Sequence, residues 1–350
     1  MGAAAASATL QQLNGAENPV KGEPIKIAQI GTRHAHASGK MAVYRQSDDF
    51  EIVGIAEPDD ARWESVSRSA PYRDLKRYPI DDLLAIPGLQ AVAIETAVGE
   101  LLANAQLAVD AGLHVHLDKP AGSDLEAYRK LMADADAKAL TVQMGYMFRF
   151  NPAVQLLQRF LREGWLGEVF EVHAVMSKVV PTGSRKGLAA FEGGIMFELG
   201  CHLIDLVVAV LGKPESVSTH HRSLGADGLV DNMLAVFDYP KSTATVRSTA
   251  LEVEGFSRRH LTVCGTGGTF HIQPLDRPKV TLSLAQACGE FRKGTQVIPF
   301  EPPYRRYVGD ATDLAAIIRG EKESAFPSAH DLAVQETVLR ACGQQSRERD

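Results

Sequence analysis

Residues 25–57 read IKIAQIGTRHAHASGKMAVYRQSDDFEIVGIAE, and this stretch decides the fold. Short apolar runs at 25–30 and 50–56 flank a segment at 36–47 that predicts a helix. Apolar strands separated by helices in this way are typical of parallel strands that are buried on both faces. The stretch therefore predicts the opening of a doubly wound α/β sheet.

The alternation of strands and helices continues to about residue 145, and the pattern then changes. Up to that point the sequence predicts strands at 91–95, 113–117 and 140–144 and helices at 99–112 and 123–138. Beyond it, the sequence predicts helices at 151–163, from Gly193-Gly194 to about 211, at 308–319 and at 328–343, a strand at 168–179, and alternating strands over 216–300 that include 243–253 and 279–284. One-sided alternation of this kind suits an antiparallel sheet with one covered face.

The predicted fold class is therefore α/β, with two domains. A flexible arm at 1–23 precedes a Rossmann domain at 24–145 with a doubly wound parallel sheet. An α+β domain at 146–350 follows, with a large, mostly antiparallel, open-faced sheet. Its last helices are candidates for packing back on the first domain.

Composition narrows the class of protein. The net charge is -6 and the pI is about 6.0, so neither nucleic acid nor a polybasic membrane contact is expected. No apolar run is long enough for a membrane span. The four cysteines are far apart, which predicts no zinc site and no disulfide framework. We expect four buried thiols in a reducing compartment, and hence a cytoplasmic protein.

The first candidate site is the turn after the first strand, which has the context of a dinucleotide-binding loop. Counting GxGxxG from Gly31 places Arg33 at the second glycine and His36 at the third, so only the first requirement is met. Thr32, Arg33 and His34 are candidate cofactor contacts. A purely structural turn is the alternative interpretation.

Glu57 ends the second strand, and Pro58 follows it. An acid at this place can accept both hydroxyl protons of an adenosine ribose and repel a 2′-phosphate. That role favours NAD over NADP. A solvated loop acid is the alternative.

Asp118-Lys119-Pro120 follows the strand at 113–117, at the carboxyl edge of the predicted sheet, where ligands bind in open α/β folds. A lysine at this edge can hold a substrate hydroxyl and ease its deprotonation. A merely solvated lysine is equally consistent with the pattern.

Three polar residues stand within a largely apolar helix, at Glu198, His202 and Asp205. The spacing of four places Glu198 and His202 on one helical face. His202 as a general base oriented by Glu198 is the favoured interpretation. A hydrogen-bonded structural network and a metal pair are the alternatives, and one histidine with carboxylates is a poor zinc set.

Taken in order, these motifs resemble the glucose–fructose oxidoreductase and inositol dehydrogenase (Gfo/Idh/MocA) family over residues 25–343. The matching stretches are AGLHV at 111–115 leading into Asp118-Lys119-Pro120, GYMFRFNP at 145–152, Gly193-Gly194 before Glu198-x-Gly200-x-His202-x-x-Asp205, and GTGG at 265–268. Three departures stand out: the glycine fingerprint is replaced by residues 31–36, the acid of the family's E-K-P is Asp118, and the helix acid is Glu198.

The resemblance implies roles for particular residues. Lys119 would be the catalytic lysine, followed by a candidate cis Pro120, and His202 the general base with Glu198 as its acidic partner. Glu95 and Thr96 would line the cofactor together with Asp118. The sugar site would include Tyr146, Arg149, Asp205 and His202. The large sheet of such proteins usually forms a subunit interface, so a homo-oligomer is expected.

The expected function is an NAD-dependent oxidoreductase acting on a secondary hydroxyl of a carbohydrate or polyol, without a metal. Two alternatives stay open. An enzyme that retains NAD could oxidise a glycoside transiently for elimination or hydrolysis. A non-catalytic sugar-binding protein could carry a vestigial cofactor site, a hypothesis that the lost glycines favour and the presence of Lys119 and His202 opposes.

Overall fold

The computed structural model describes residues 22–344, so the predicted arm lies outside the described residues except at 22 and 23. The chain forms two compact units. The first contains residues 22–145 together with Tyr307–Ser328, and the second contains Tyr146–Arg306 together with 329–344.

The first unit alternates strands and helices as the sequence predicts. Its elements up to residue 145 are β1 (Ile25–Ile30), α1 (Ala37–Gln46), β2 (Phe50–Ala56), α2 (Asp60–Val66), α3 (Ile80–Leu84), β3 (Ala91–Ile94), α4 (Leu101–Asp110), β4 (His114–Leu117), α5 (Leu125–Ala137) and β5 (Val142–Met144). The five strands pair in parallel in the order β2-β1-β3-β4-β5. The doubly wound sheet is thereby confirmed, and the carboxyl ends of β1 to β4 meet at one edge.

The second unit is built around an eight-stranded sheet. Its elements are α6 (Pro152–Arg162), β6 (Val169–Val175), α7 (Thr182–Ala189), a π-helical turn (Met196–Gly200), α8 (Cys201–Leu211), β7 (Ser216–Arg222), β8 (Asn232–Asp238), β9 (Thr243–Thr249), α9 (Gly255–Arg258), β10 (His260–Gly265), β11 (Gly268–Ile272), β12 (Val280–Leu284) and β13 (Gly294–Ile298). The order is β13-β12-β11-β10-β6-β9-β8-β7, antiparallel except for β6 and β9. The expected mostly antiparallel sheet is confirmed.

Two helices complete the chain, α10 (Val308–Ile318) and α11 (Ser328–Ala341). Leu314 and Ile318 of α10 join the core of the first unit, where they pack with Ile27 of β1 and Tyr44 of α1. α10 therefore covers one face of the parallel sheet beside α1. Within residues 22–344, no helix is both long and apolar enough to cross a membrane.

Some predicted boundaries are wrong. The strands expected at 168–179 and 243–253 end at Val175 and Thr249, because the regular ladder breaks there. Scattered bonds continue beyond it, such as Lys178 N–H to the Thr249 carbonyl at 3.1 Å. The short helices α2, α3 and α7 were not predicted.

The expectation of four buried thiols is half right. All four cysteines are free, with Cys201 and Cys342 buried. Cys264 and Cys288 are only partly buried. Cys264 lies on β10 next to the buried Val263, so the alternation of the strand turns its side chain to the uncovered face.

Candidate active site

The turn after β1 lies against the end of β3. Gly31 has a φ of +81°, and a Cβ at this position would lie 2.6–2.8 Å from Thr96, so only glycine fits. The backbone N–H of His34 donates to the Glu95 carbonyl at 3.0 Å. Gly31, the one glycine of the fingerprint that is present, thus allows a tight turn at the carboxyl edge of the sheet.

Glu57 sits beside this turn and is almost fully buried. The Thr32 hydroxyl donates to its Oε2 at 2.7 Å, and the Asp59 N–H donates to its Oε1 at 3.1 Å. Arg62 Nε donates in turn to Thr32 Oγ1 at 3.0 Å. Thr32, which follows β1, and Glu57, which follows β2, are therefore hydrogen-bonded to each other. The exposed Arg33 pairs with Asp59.

A cleft of about 680 Å³ opens next to Glu57 at the same side of the first unit. Its lining includes Glu57 and Pro58, both predicted cofactor contacts, together with Arg77, Tyr78 and Leu107. The Arg77 Nε donates to the Glu57 carbonyl at 2.8 Å. Glu57, at the end of β2, thus lies at the edge of this cleft.

A cluster of buried charges surrounds Asp118 at the end of β4. Its Oδ2 lies 2.7 Å from His34 Nδ1 and 3.1 Å from Lys40 Nζ, and its Oδ1 lies 3.1 Å from His36 Nδ1. Lys40 Nζ also lies 2.9 Å from Glu95 Oε1. Lys40, Glu95 and Asp118 are each at most 1% exposed, so these contacts are shielded from water.

The cluster sets the protonation of its members. Burial would raise the pKa of Asp118, but Lys40 and the two imidazoles outweigh burial and hold that pKa well below its usual range. Burial, followed by the charge of Asp118, raises the pKa of Glu95 well above its usual range. Burial lowers the pKa of His36 to about 4. At neutral pH Asp118 is the ionised carboxylate and the Lys40 ammonium its main counter-charge.

Lys119 follows Asp118 and is fully buried. Its backbone N–H donates to Asp118 Oδ1 at 2.7 Å, and its carbonyl oxygen lies 3.0 Å from His34 Nε2. The Lys119–Pro120 peptide bond is cis. Both polar groups of the Lys119 backbone are thus bound to the cluster.

Gly145, where the sequence pattern changes, is also explained by the cluster. A Cβ there would lie 2.8 Å from Lys40 Nζ and 2.9 Å from Asp118 Oδ1. The absence of a side chain at the end of β5 leaves the space that the buried ion pair occupies.

The same residues bear on metal and cofactor binding. His34, His36 and Asp118 bring ligand atoms within 4.8 Å of one another, a set that suits a divalent ion. The Lys40 ammonium, however, already supplies positive charge to Asp118. For a dinucleotide, the Gly31 turn and Glu57 are retained, and the exposed Arg33 offers a guanidinium where the fingerprint has glycine. The residues at this edge fit a nicotinamide dinucleotide whose phosphates would meet side chains in place of the second and third glycines of the fingerprint.

The second unit carries the predicted base. His202 belongs to α8 and is 2% exposed. Its ring meets the ring edges of Tyr146 and Phe148, with centroid distances of 6.0 and 5.5 Å. Two aromatic side chains of the GYMFRFNP stretch therefore fix the orientation of this imidazole.

Glu198 lies half-buried in the π-helical turn that precedes α8, not in a regular α-helix. Such turns within helices are frequent at functional sites. Gly193 and Gly194 before it have positive φ, and a Cβ at Gly193 would lie 2.3 Å from Cys342 Sγ. Gly193 is therefore required by a close approach of the chain to the end of α11, and Gly194 by an approach to the Val230 carbonyl, 2.7 Å from where its Cβ would lie.

Arg149 and Asp205, both predicted at the sugar site, bind each other. Arg149 Nη2 lies 2.6 Å from Asp205 Oδ1 and 2.5 Å from Asp331 Oδ1, and all three residues are buried. His330 Nε2 lies 3.5 Å from Asp205. Burial alone would raise the pKa of Asp205, but Arg149 holds it below its usual value.

Sequence reasoning missed several members of these clusters. It did not identify Lys40, Asp331 or His330, and it treated His36 only as a lost glycine. A signal existed for α1, since His36, Lys40 and Tyr44 are four residues apart and so share one helical face.

The fold and the first unit define a dinucleotide-binding two-domain protein. Residues 25–146 match the family model described as an oxidoreductase family with an NAD-binding Rossmann fold. Residues 154–271 match the Gfo/Idh/MocA C-terminal domain. The chain therefore belongs to the Gfo/Idh/MocA family of NAD-binding oxidoreductases, and the resemblance drawn from its motifs is confirmed.

Individual relatives are distant. The chain is 27% identical to trans-1,2-dihydrobenzene-1,2-diol dehydrogenase from Sus scrofa over 196 residues, which cover 55% of this chain and 57% of that protein. It thus spans about three fifths of the length of such curated relatives.

Solved structures share the fold over most of the chain. UDP-N-acetylglucosamine 3-dehydrogenase from Acidithiobacillus ferrooxidans matches with a TM-score of 0.76 and 19% identity, covering 91% of this chain and 96% of that one. An oxidoreductase from Desulfitobacterium hafniense described as NADPH-dependent matches with a TM-score of 0.78 and 16% identity, covering 93% and 96%.

Proposed function

We propose that this protein is an NAD-dependent dehydrogenase that oxidises a secondary hydroxyl of a sugar, polyol or glycoside, or reduces the corresponding ketone. The observation that carries the proposal is the placement of Lys119 at the carboxyl edge of an NAD-binding Rossmann sheet, with its backbone bound to a buried cluster. Two relatives named for the dehydrogenation of a diol and of a sugar nucleotide support the reaction class.

In the proposed mechanism His202 accepts the proton of the substrate hydroxyl as its carbon–hydrogen bond breaks. Bound NAD supplies the acceptor for the hydride that leaves that carbon. The Lys119 ammonium stabilises the negative charge that develops on the oxygen as it becomes a carbonyl. Glu198 orients His202 or relays its proton. In the reductive direction His202 returns the proton to the oxygen.

Arg149, Asp205 and Tyr146 contribute to the substrate side of the site in this proposal. Because Arg149 and Asp205 neutralise each other, they would form a fixed polar wall, not a pair of free charges. Such a wall favours a neutral polyhydroxylated ligand over an ionic one.

NAD is the proposed cofactor over NADP. The carboxylate of Glu57 would accept hydrogen bonds from the adenosine ribose and repel a 2′-phosphate there. Glu95, Thr96 and the Gly31 turn would line the remainder of the cofactor site. One structural neighbour is described as NADPH-dependent, so the choice of cofactor is a point for direct measurement.

Self-association through the large sheet also belongs to the proposal. Val297 of β13 is 54% exposed and pairs with Thr281, which lies between two buried residues of β12, so the sheet presents an apolar side chain outside its covered face. Light scattering coupled to size exclusion would report a dimer or tetramer if the proposal is right.

The decisive experiment is a substrate screen read at the nicotinamide absorbance. The probes are myo-inositol, D-glucose, UDP-N-acetylglucosamine and trans-1,2-dihydrobenzene-1,2-diol, each with NAD. Turnover that falls by at least a hundredfold in His202→Ala, with NADH binding unchanged, would support the proposal.

Other results point elsewhere. Full turnover in His202→Ala would contradict the assignment of the base. Product formed without net NADH, from protein that purifies with cofactor bound, would identify the NAD-retaining alternative. No binding of NAD or NADH at millimolar concentration would favour the vestigial one.

A further inference from the structure

We propose that His34 is a positioning residue for Lys119, which it holds through the Lys119 backbone. The inference rests on the proposed function only in assigning catalysis to Lys119. The contact itself is a property of the turn after β1, and it gives a purpose to an imidazole in a loop where the family fingerprint needs glycines.

The geometry of the ring carries the proposal. His34 Nε2 lies 3.0 Å from the Lys119 carbonyl oxygen, and His34 Nδ1 lies 2.7 Å from Asp118 Oδ2. A carbonyl oxygen only accepts hydrogen bonds, so Nε2 donates in this contact. Nε2 thus ties the ring to Lys119, while Nδ1 accepts the His36 N–H at 3.3 Å and lies beside the Asp118 carboxylate.

The N–H of Lys119, on the other side of its Cα, is held by Asp118. Its Oδ1 accepts the Lys119 N–H at 2.7 Å, while His36 Nδ1 lies 3.1 Å from Oδ1 and Lys40 Nζ lies 3.1 Å from Oδ2. The Lys119 backbone thus has its N–H bound through one partner and its carbonyl through another. Movement of the Lys119 backbone, from which the side chain extends, requires breaking one of two buried hydrogen bonds, and an unpaired buried carbonyl is costly.

Burial makes the arrangement stiff. His34 is 7% exposed, and Asp118 and Lys119 are fully buried. Catalytic side chains need placement to within a fraction of an ångström, and a displacement near 1 Å costs about a hundredfold in rate. A fixed Lys119 backbone would supply that placement.

Two substitutions separate the two halves of the imidazole. The amide nitrogen of His34→Gln reaches as far from the backbone as Nε2 and can still donate to the Lys119 carbonyl. The amide nitrogen of His34→Asn reaches only as far as Nδ1, so it can meet Asp118 but not that carbonyl. The proposal therefore predicts opposite outcomes for two amides of the same chemistry.

The primary measurement needs no turnover. In protein labelled at lysine Cε with ¹³C, the signal of Lys119 is identified by its loss in Lys119→Arg. We expect this signal to shift and broaden in His34→Asn, and to stay close to its wild-type position in His34→Gln. His114→Asn is the matched control, since His114 lies at the other end of β4 and its Nδ1 accepts the Thr141 N–H at 3.0 Å. It should leave the Lys119 signal unchanged.

Kinetics add a second reading with whichever of the four probes the wild type oxidises. His34→Asn should lower kcat by about 10- to 100-fold with KM within about threefold, and His34→Gln should recover most of the loss. In a Lys119→Ala background, His34→Asn should cost nothing further, because a positioning residue acts only through its partner.

Several results would overturn the proposal. An unchanged Lys119 signal in His34→Asn would overturn it. Equal effects of the Asn and Gln variants would also overturn it, because they would indicate a purely structural imidazole. If His34→Asn does not fold, ¹⁵N-histidine spectra of the unaltered protein decide, because the contact requires a slowly exchanging proton on His34 Nε2. If no probe is oxidised while the Lys119 signal behaves as expected, the proposed function fails and the positioning contact stands.

Discussion

The buried ammonium of Lys40 gives the sharpest test of the charge cluster, through Lys40→Met. Lys40 is 1% exposed and lies 2.9 Å from Glu95 and 3.1 Å from Asp118. At an effective dielectric constant of about 20, a charge pair at the latter distance attracts by about 5 kcal/mol. Desolvation offsets part of this attraction. Removing one partner of a buried pair nevertheless destabilises proteins by about 3–5 kcal/mol, because the other charge stays buried. We expect a loss of unfolding free energy in that range.

The assay can isolate the first unit. The chain has two tryptophans, Trp63 in the first unit and Trp165 in the second. In a Trp165→Phe background, urea unfolding followed by fluorescence reports on Trp63 alone. The surface pair of Lys130 and Asp134 supplies the control, since Lys130→Met should leave the urea midpoint essentially unchanged.

The pH dependence of this stability loss distinguishes a lost charge interaction from lost packing. Without Lys40 the pKa of a buried carboxylate rises above its unfolded value, so that carboxylate favours folding below its unfolded pKa. This contribution is lost as pH rises through the folded pKa. Lys40 lowers the pKa of both Asp118 and Glu95, so its removal raises both. The stability loss should therefore grow as pH rises above the unfolded carboxyl pKa, and Glu95→Gln in the same protein should reduce it. A loss below about 1 kcal/mol, or one that does not vary with pH, would refute the reasoning.

Three further perturbations follow from single residues. Glu57→Gln should reduce the ratio of NADH affinity to NADPH affinity by about tenfold, as measured by calorimetric titration. Equal affinities in the wild type would contradict the assignment of Glu57 to the ribose. The pKa of His36 is about 4 in the folded protein against an ordinary 6.5, so the unfolded state binds more protons between these values. Unfolding free energy should fall as pH drops through that window, and His36→Asn should flatten the fall. Gly193→Ala, at a φ of +79° and facing Cys342, should destabilise the second unit by about 1–3 kcal/mol, and an unchanged midpoint for Trp165 fluorescence would exclude that strain.

The strands of the Rossmann sheet were predictable because burial on both faces leaves a plain mark, a short apolar run such as FEIVGIA at 50–56. The short helices α2 and α3 leave no such mark. With seven and five residues they are too short for a hydrophobic period, and α2 is defined mainly by Asp59, whose side chain accepts the Arg62 N–H at 3.0 Å.

The residues of the candidate site divide in a similar way. Lys119 and Glu57 could be singled out because each follows a strand at the edge where ligands bind. The partners of Asp118 could not, since a sequence does not show that the turn after β1 meets the end of β4. Arg149 and Asp205 were identified, but not their pairing with Asp331, which is separated from Arg149 by almost two hundred residues.

Two departures from the family pattern looked independent in the sequence, the lost glycines at 31–36 and the aspartate at position 118. In the structure they touch, since His34 and His36 both contact the Asp118 carboxylate. Aspartate is shorter than the family's glutamate by about 1.5 Å, and the two imidazoles reach its carboxylate from the turn. A turn of glycines could not make these contacts, because glycine has no side chain. The two departures are therefore physically linked, because the imidazoles that stand in place of the glycines contact the carboxylate of the residue that precedes the lysine.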